Sequence, residues 1–182
     1  MKPSPVKTTI DFEQDGLQHG FLKLPHSHDE SAYGSVMIPI SMVKNGEGPT
    51  ALLTGGNHGD EYEGPIALFD LAQTIDSQQI RGRVILVPAI NYPAFQAGKR
   101  TSPIDRGNMN RSFLGNPEGD ITEKIRIISN GPCCLWPNGC LTFTPAGKPW
   151  IFFLFAQPTG WKTSNRNNAA LKRCGLSMHP TA

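Results

Sequence analysis

The sequence predicts an α/β fold for its N-terminal two thirds. Residues 34–43 and 50–54 are rich in apolar and β-branched side chains, which favours strands. Residues 65–75 repeat apolar side chains at helical spacing, and residues 83–88 form a short, almost wholly apolar run typical of a strand buried on both faces. The order strand, helix, buried strand predicts a layer in which a right-handed crossover links the strands.

The first two predicted strands are separated by Asn45-Gly46, a strong turn signal, so we expect them to form a hairpin. Pro39 removes a backbone donor from the first strand, which predicts an edge strand or a bulge. Pro65 suits the first position of the predicted helix. Two apolar sets could face the core from this helix: Ile66, Phe69 and Ala72, or Leu68, Leu71 and Ile75.

Residues 89–119 are polar and irregular, and rich in Asn, Gly, Pro and Arg. A stretch of this length without periodicity predicts a functional loop or disorder. Asp120-Ile-Thr-Glu123 then forms a capping-box pattern, so we expect a helix to begin at Ile121.

The composition changes after residue 125. All 15 acidic residues precede this point, whereas the tail that follows has six basic residues and all four Cys. These basic residues are scattered and form no stripe, so we expect no nucleic-acid partner. No apolar run is long enough to cross a bilayer, and no hydrophobic segment follows the N-terminus, so we expect no membrane association and a cytoplasmic location.

The segment Gly55-Gly-Asn-His58-Gly-Asp-Glu61 directly follows a predicted strand. A His and a carboxylate three residues apart can converge on one ion, and a catalytic zinc uses such a pair with one distant ligand and a water. A bare His-x-x-Glu is far more often a solvated turn. Its place at a strand end and its flanking glycines favour a metal site here.

A second polar segment, residues 98–113, contains Asn110 and Arg111. The rigid fork of arginine binds a carboxylate through two hydrogen bonds, and a neighbouring amide adds a donor. A charged loop alone is more often solvated than functional. The pair therefore suggests an anionic ligand only in combination with the first segment.

Residues 51–65, followed by 91–95, 101–105 and Asn110-Arg111, resemble the succinylglutamate desuccinylase/aspartoacylase family of zinc carboxypeptidase-like hydrolases. The resemblance covers residues 9–125 and is strongest to a branch of deacetylases in ectoine breakdown. It implies a Zn²⁺ cofactor and hydrolysis of the amide bond of a small N-acyl amino acid. It also implies the site residues: His58 and Glu61 as zinc ligands, and Arg100, Asn110 and Arg111 binding the substrate carboxylate. Arg106 stands where the family pattern has a small or polar residue.

The resemblance also implies a zinc-carboxypeptidase-like mixed sheet with helices. Residues 1–125 would form the N-terminal part of a catalytic domain, and residues 126–182 an irregular tail that forms no domain. Family members need a later zinc-ligand His, in an Asp-Leu-His-Ser/Ala-Gly-Gly motif, and a catalytic Glu. Neither follows residue 125, so the resemblance assigns no catalytic residue to this chain.

Loss of one base after codon 125 would account for this break. The codons of residues 141–147 are compatible with Asp-Leu-His-Ala-Gly-Gly in the shifted frame, with the His (or Tyr) codon straddling codons 143 and 144. The sequence therefore predicts an inactive, frameshifted fragment of a zinc-dependent deacylase. The alternative is a non-catalytic protein: either an anion-binding module using Arg100 and Arg111, or an unstable fragment. The acyl group, the amine and the oligomeric state stay open.

Overall fold

A computed structural model describes residues 4–112 and 115–129, together with the backbone of two later strands, and contains a mixed sheet. Its strands are β1 (Lys7–Thr8), β2 (Gly16–Pro25), β3 (Ser35–Asn45), β4 (Thr50–Thr54), β5 (Gly82–Val87), β6 (Cys140–Phe143) and β7 (Ile151–Leu154). They lie in the order β1-β2-β3-β5-β4-β6-β7. β4 runs parallel to β5 and β6, and the other neighbours are antiparallel. The expected mixed sheet is confirmed.

Helices accompany the sheet as expected. They are α1 (Glu63–Thr74), α2 (Tyr92–Ala97) and α3 (Ile121–Arg126). None of the helices in the described residues is long and apolar enough to span a bilayer. α2 lies inside the stretch predicted to lack regular structure, so that prediction is wrong there. With six residues α2 is too short to show periodicity, although Pro93 near its start and left-handed Gly98 at its end are typical helix boundaries.

The predicted hairpin between β3 and β4 is wrong. Gly46 does turn the chain, with φ +62°, but β5 lies between the two strands. β5 is buried almost throughout, so it needs a strand on each side to pair its backbone groups. β3 instead forms a long antiparallel pair with β2. The sequence pattern does not predict β2, because Gly16 and Gly20 stand at inward positions where an alternating strand would have apolar side chains.

The prediction that Pro39 marks an edge or bulge is wrong for β3 as a whole, because β3 is internal to the sheet. β5 pairs only with Ser41–Asn45 of β3. Pro39 pairs with Phe21 on β2 and lies beyond the β5 register. The proline therefore lies where β3 has no β5 neighbour, and no hydrogen bond to β5 is lost.

Apolar side chains cover both faces of the central strands. On one face Leu68 and Ala72 of α1 pack with buried residues of β3 and β5, and Leu71 and Ile75 contact the same cluster. The whole second predicted apolar set therefore faces the sheet, whereas of the first set Ala72 is buried there and Ile66 is 66% exposed. The larger cluster on the other face combines strand residues with the chain around Met109 and α3; its fully buried members include Leu22, Ile38, Ile40, Leu52, Ile85, Met109 and Ile125.

β6 and β7 lie in the tail that was expected to be irregular, which corrects that expectation for these eight residues. β6 pairs in parallel with β4, so β4 has a neighbouring strand on each side, β5 and β6. An open strand edge accepts further strands readily, and Cys-Leu-Thr-Phe is compatible with an extended chain. The rest of residues 130–182 lies outside the described residues, and the absence of a domain there stays a prediction.

Asp105 attaches the loop of residues 99–112 to the start of α3. α3 begins at Ile121 as predicted, and Glu123 accepts the backbone N–H of Asp120 at 3.1 Å. The Asp105 carboxylate accepts the backbone N–H of Thr122 at 2.6 Å and the Thr122 hydroxyl at 2.8 Å. Partial burial raises the pKa of Asp105, but these bonds and those from Gly107 and Ser102 outweigh it and leave the pKa below its ordinary value.

Replacing Asp105 with Asn should destabilise the fold in a pH-dependent way. A lowered pKa means that the carboxylate stabilises the fold above the unfolded pKa of about 3.9, and that this contribution is lost as the pH falls through the folded value. We expect Asp105→Asn to lower the free energy of unfolding by about 1–2 kcal/mol at pH 7. In urea titrations, the difference from the parent chain should shrink below about pH 4. The exposed Asp29→Asn is the control, and an equal loss at pH 7 and pH 3 would contradict the assignment.

Arg106 has a left-handed backbone, with φ +58°, and its side chain is exposed. A side chain with a Cβ is strained in this region, whereas Gly is not. Arg106→Gly should therefore raise the free energy of unfolding by about 0.5–1 kcal/mol. Arg106→Ala removes the charge but retains the Cβ, so it should give little of this gain. Equal effects of the two substitutions in thermal unfolding would mean that charge, not backbone strain, is responsible.

Candidate metal centre

The turn that carries His58 begins where β4 ends, and it runs beside the chain that leaves β5. The backbone of Gly55 donates to Val87 and accepts from Ile90, at 3.1 and 2.9 Å. Asn91 then donates to Gly56 at 3.1 Å. The two chain segments thus continue together past the edge of the sheet, and the parallel pairing brings the turn after β4 next to α2.

His58 and Glu61 converge, as their spacing predicted. The Nδ1 atom of His58 lies 2.7 Å from Oε1 of Glu61. His58 is 1% exposed, and the Glu61 side chain is 14% exposed. The second carboxylate oxygen, Oε2 of Glu61, is buried without a hydrogen-bond partner among the described residues. A nitrogen and a carboxylate are therefore held together out of water, with one oxygen left over.

Gly59 holds this turn against α2. Its N–H donates to the carbonyl of Lys99 at 2.9 Å. A Cβ at this position would overlap the carbonyl of Ala94, so only glycine allows the two segments to approach this closely. The same contact positions Arg100, whose guanidinium lies 3.8 Å from Oε1 of Glu61 and is 57% exposed.

A second loop reaches the ring of His58 from the other predicted segment. Oδ1 of Asn108 lies 3.2 Å from Nε2 of His58. Asn57, next to His58 in the chain, donates its side-chain amide to Oδ1 of Asn110 at 3.4 Å. Asn110 and Arg111 belong to a short 3₁₀ turn that begins after Asn108, and Arg111 is exposed.

Four of the five predicted site residues thus lie around one turn: His58, Glu61, Arg100 and Asn110. Arg111 is next to Asn110 in the chain, and its role stays a prediction. Sequence reasoning missed Asn57, Gly59 and Asn108. Asn108 precedes Asn110 by two residues at the start of a turn, a position where a capping Asn is common, but its contact with His58 spans fifty residues and has no local signal.

The pair of His58 and Glu61 fits a metal ion chemically. An imidazole nitrogen and a carboxylate oxygen 2.7 Å apart need a shared proton or a cation between them. Two ligands of a tetrahedral zinc stand about 3.4 Å apart, so the pair would open by less than about 1 Å. Oε2 of Glu61, to which no described residue is hydrogen-bonded, offers a further metal-ligating atom. No third His, Cys, Asp or Glu completes a ligand set among the described residues.

A groove of about 610 Å³ lies elsewhere on the described surface, and none of the five predicted site residues lines it. Its walls come from the chain around His26 and His28, from β3, from α2 and from the loop at Pro103. It shares α2 and the loop of residues 99–112 with the surroundings of the candidate centre.

Comparisons with known proteins found a matching family model and similar chains. The model of the succinylglutamate desuccinylase/aspartoacylase catalytic domain family matches residues 47–129. The chain is 64% identical over 124 residues to the N-alpha-acetyl-L-2,4-diaminobutyric acid deacetylase of Halomonas elongata. That match covers 68% of this chain and 36% of the relative. The chain therefore spans little more than a third of this relative's length.

Several solved structures share the fold. The product-bound structure of the ectoine utilization protein EutE (DoeB) from Ruegeria pomeroyi is 64% identical, with a TM-score of 0.67 over 69% of this chain and 38% of that one. A succinylglutamate desuccinylase from Silicibacter sp. TM1040 is 55% identical, with a TM-score of 0.74 over 79% of this chain and 44% of that one. Over residues 47–129, the chain belongs to the succinylglutamate desuccinylase/aspartoacylase family.

Proposed function

We propose that residues 1–125 contain the first part of the active site of a zinc-dependent amidohydrolase that acts on N-acyl amino acids. The observation that carries the proposal is the buried contact between His58 Nδ1 and Glu61 Oε1, beside which Oε2 of Glu61 has no hydrogen-bond partner in the described part of the chain. His58 and Glu61 would hold the zinc. When bound, zinc supplies a Lewis acid that polarises an acyl carbonyl and lowers the pKa of a bound water.

The residues beside this pair and the relatives support the proposed substrate class. The guanidinium of Arg100 lies 3.8 Å from Oε1 of Glu61. Asn110 is hydrogen-bonded to Asn57, the residue that precedes His58 in the chain. With Arg111 these residues would bind a carboxylate and so hold an N-acyl amino acid by one end while its amide lies over the metal. The Halomonas relative is named as a deacetylase of such a compound, which supports this substrate class. A cytoplasmic location stays a prediction.

We further propose that residues 126–182 are read out of frame and that the chain as it stands is inactive. The loss of all acidic residues after residue 125 supports this. The strand register also supports the frameshift. β6 pairs in parallel with β4, and Thr142 lies opposite Thr54, the last residue of β4. Codon 143 therefore falls at the end of the strands from which the His58 turn departs. A histidine encoded across codons 143 and 144 would begin at that edge, where a third ligand is needed.

The main alternative is an anion-binding module without a metal. The exposed guanidinium of Arg100 and the exposed Arg111 favour it. Both proposals predict that a carboxylate binds. They differ in whether His58 binds zinc, so a metal titration separates them.

Zinc should bind the full chain with one-to-one stoichiometry and low affinity, because two protein ligands leave the ion largely hydrated. Calorimetry should show that His58→Ala and Glu61→Gln abolish this binding. The exposed His28→Ala should leave it unchanged. Tight binding that survives His58→Ala would contradict the assignment, and anion binding without any zinc binding would favour the module.

Restoring the reading frame should restore the enzyme. Insertion of one base after codon 125 should yield a protein that hydrolyses N-acetyl amino acids, whereas the present chain should not. In the restored enzyme, Arg111→Lys should lower kcat/KM by about 10-fold or more, because a point charge cannot reproduce the two parallel hydrogen bonds of the fork. Arg81→Lys, on the loop before β5, is the control. Hydrolysis by the unrepaired chain, or unchanged kinetics in Arg111→Lys, would refute the respective claim.

A further inference from the structure

Tyr33 is almost completely exposed, and an apolar groove lies beside the loop that carries it. This loop, residues 26–34, leads from β2 to β3, and Tyr33 is 98% exposed. His26 and His28, at the start of the same loop, line the groove of about 610 Å³. We propose that this surface joins two copies of the chain, with Tyr33 of each copy inserted into the groove of the other.

Backbone hydrogen bonds hold the loop of residues 26–34 in one conformation. His28 and Ser31 exchange two of them, at 3.1 and 2.9 Å, and the carbonyl of Gly34 accepts the N–H of His26 at 2.9 Å. Gly34 is required there, because a Cβ would lie 2.6 Å from the carbonyl oxygen of His26. An aromatic side chain on an ordered loop loses little conformational freedom on binding, so Tyr33 is well suited to anchor an interface.

The groove offers an apolar surface to an aromatic ring. Its apolar wall residues come from β3, from α2 and from the loop after α2: Val36, Met37, Tyr92, Pro93, Ala97 and Ile104. Ile104 is 39% exposed, so burial under a ring would remove apolar surface from water. His28 and Gln96 also line the groove and can form a hydrogen bond with the hydroxyl of Tyr33.

Charge complementarity favours a second copy of the chain as the occupant. Asp29 and Glu30, on the loop of Tyr33, are exposed and form no ion pair with any described residue. Lys99 and Arg106 are exposed as well, and each follows a groove-lining residue by two positions. One chain thus carries an acidic loop and a basic groove rim. Across a two-fold axis each loop can face the rim of the other copy, so every contact is made twice.

The area of such an interface is that of a weak dimer. A buried tyrosine removes about 150–250 Å² from water, and the groove surface that covers it loses a similar area. Two insertions would therefore bury about 600–1,000 Å² in all, which is typical of transient complexes. The dimer should accordingly dissociate on dilution.

Sedimentation equilibrium on the full chain tests the proposal. The parent chain should pass from monomer to dimer as its concentration rises through the micromolar range. Tyr33→Ala should raise the dissociation constant of the dimer by about 30-fold or more, because each dimer loses two central aromatic anchors. Phe21→Ala is the control and should leave the dimer unchanged, because Phe21 is a 42% exposed aromatic on β2 that does not line the groove.

Charge reversal provides a second test, in which two defective variants should rescue each other. The loop variant carries Asp29→Lys and Glu30→Lys, and the rim variant carries Lys99→Glu and Arg106→Glu. Each variant alone should stay monomeric, since like charges would meet. An equimolar mixture should dimerise, because each loop then faces a rim of opposite charge.

A parent chain that stays monomeric at every concentration would overturn the proposal. A dimer that Tyr33→Ala and Phe21→Ala weaken equally would overturn it as well, and so would a mixture of the two charge variants that fails to associate. Acetylation of Tyr33 by N-acetylimidazole distinguishes the remaining occupant. A monomer whose Tyr33 resists the reagent would assign its cover to the chain's own tail, against the proposal.

Discussion

The parallel pairing of β4 with β5 is the constraint on which the rest of the centre depends. Because the two strands run in the same direction, the chain segments that leave them emerge at one edge of the sheet. The first segment carries His58 and Glu61, and the second leads into α2 and on to Arg100. Backbone hydrogen bonds between Gly55, Gly56 and the chain after Val87 keep the segments together beyond the sheet. An antiparallel pair would have sent them to opposite edges.

Two neighbouring residues of the loop of residues 99–112 have opposite effects on its stability. Asp105 attaches the loop to α3 through charged hydrogen bonds that stabilise it. Arg106, the next residue, has a backbone conformation that favours glycine and costs free energy. Asp105 therefore offsets local strain at the residue that follows it. The loop can then present Asn108 and Asn110 to the His58 turn although its own backbone is not in a low-energy conformation.

Local patterns predicted the elements whose signals lie within a few residues. The capping box at Asp120 placed the start of α3, and the apolar run before Pro88 predicted a strand buried on both faces. The spacing of His58 and Glu61 predicted their convergence, because one turn of backbone determines it.

Predictions failed where the outcome depends on distant partners. The turn at Asn45-Gly46 indicates where the chain reverses but not which strand follows in the sheet, and β5 takes the place that a hairpin would have given to β4. The contact of Asn108 with His58 has the same origin, since no local rule relates residues fifty positions apart. Gly59 belongs here as well, because only the packed position of Ala94 explains why a side chain is excluded.

The tail shows that a strand can extend the sheet without supplying the side chain that a metal site needs. Backbone hydrogen bonds are the same for almost any sequence that can extend, so Cys140–Phe143 can pair with β4 even if these residues are read in a frame that was never selected. A metal ligand has no such tolerance, because one particular side chain must stand at one place on the edge. Under the proposed frameshift, β6 therefore pairs with β4 as a strand should. The histidine codon of the family motif would instead be divided between the codons read as Phe143 and Thr144. A folded sheet in this chain is consequently no evidence that its centre is complete.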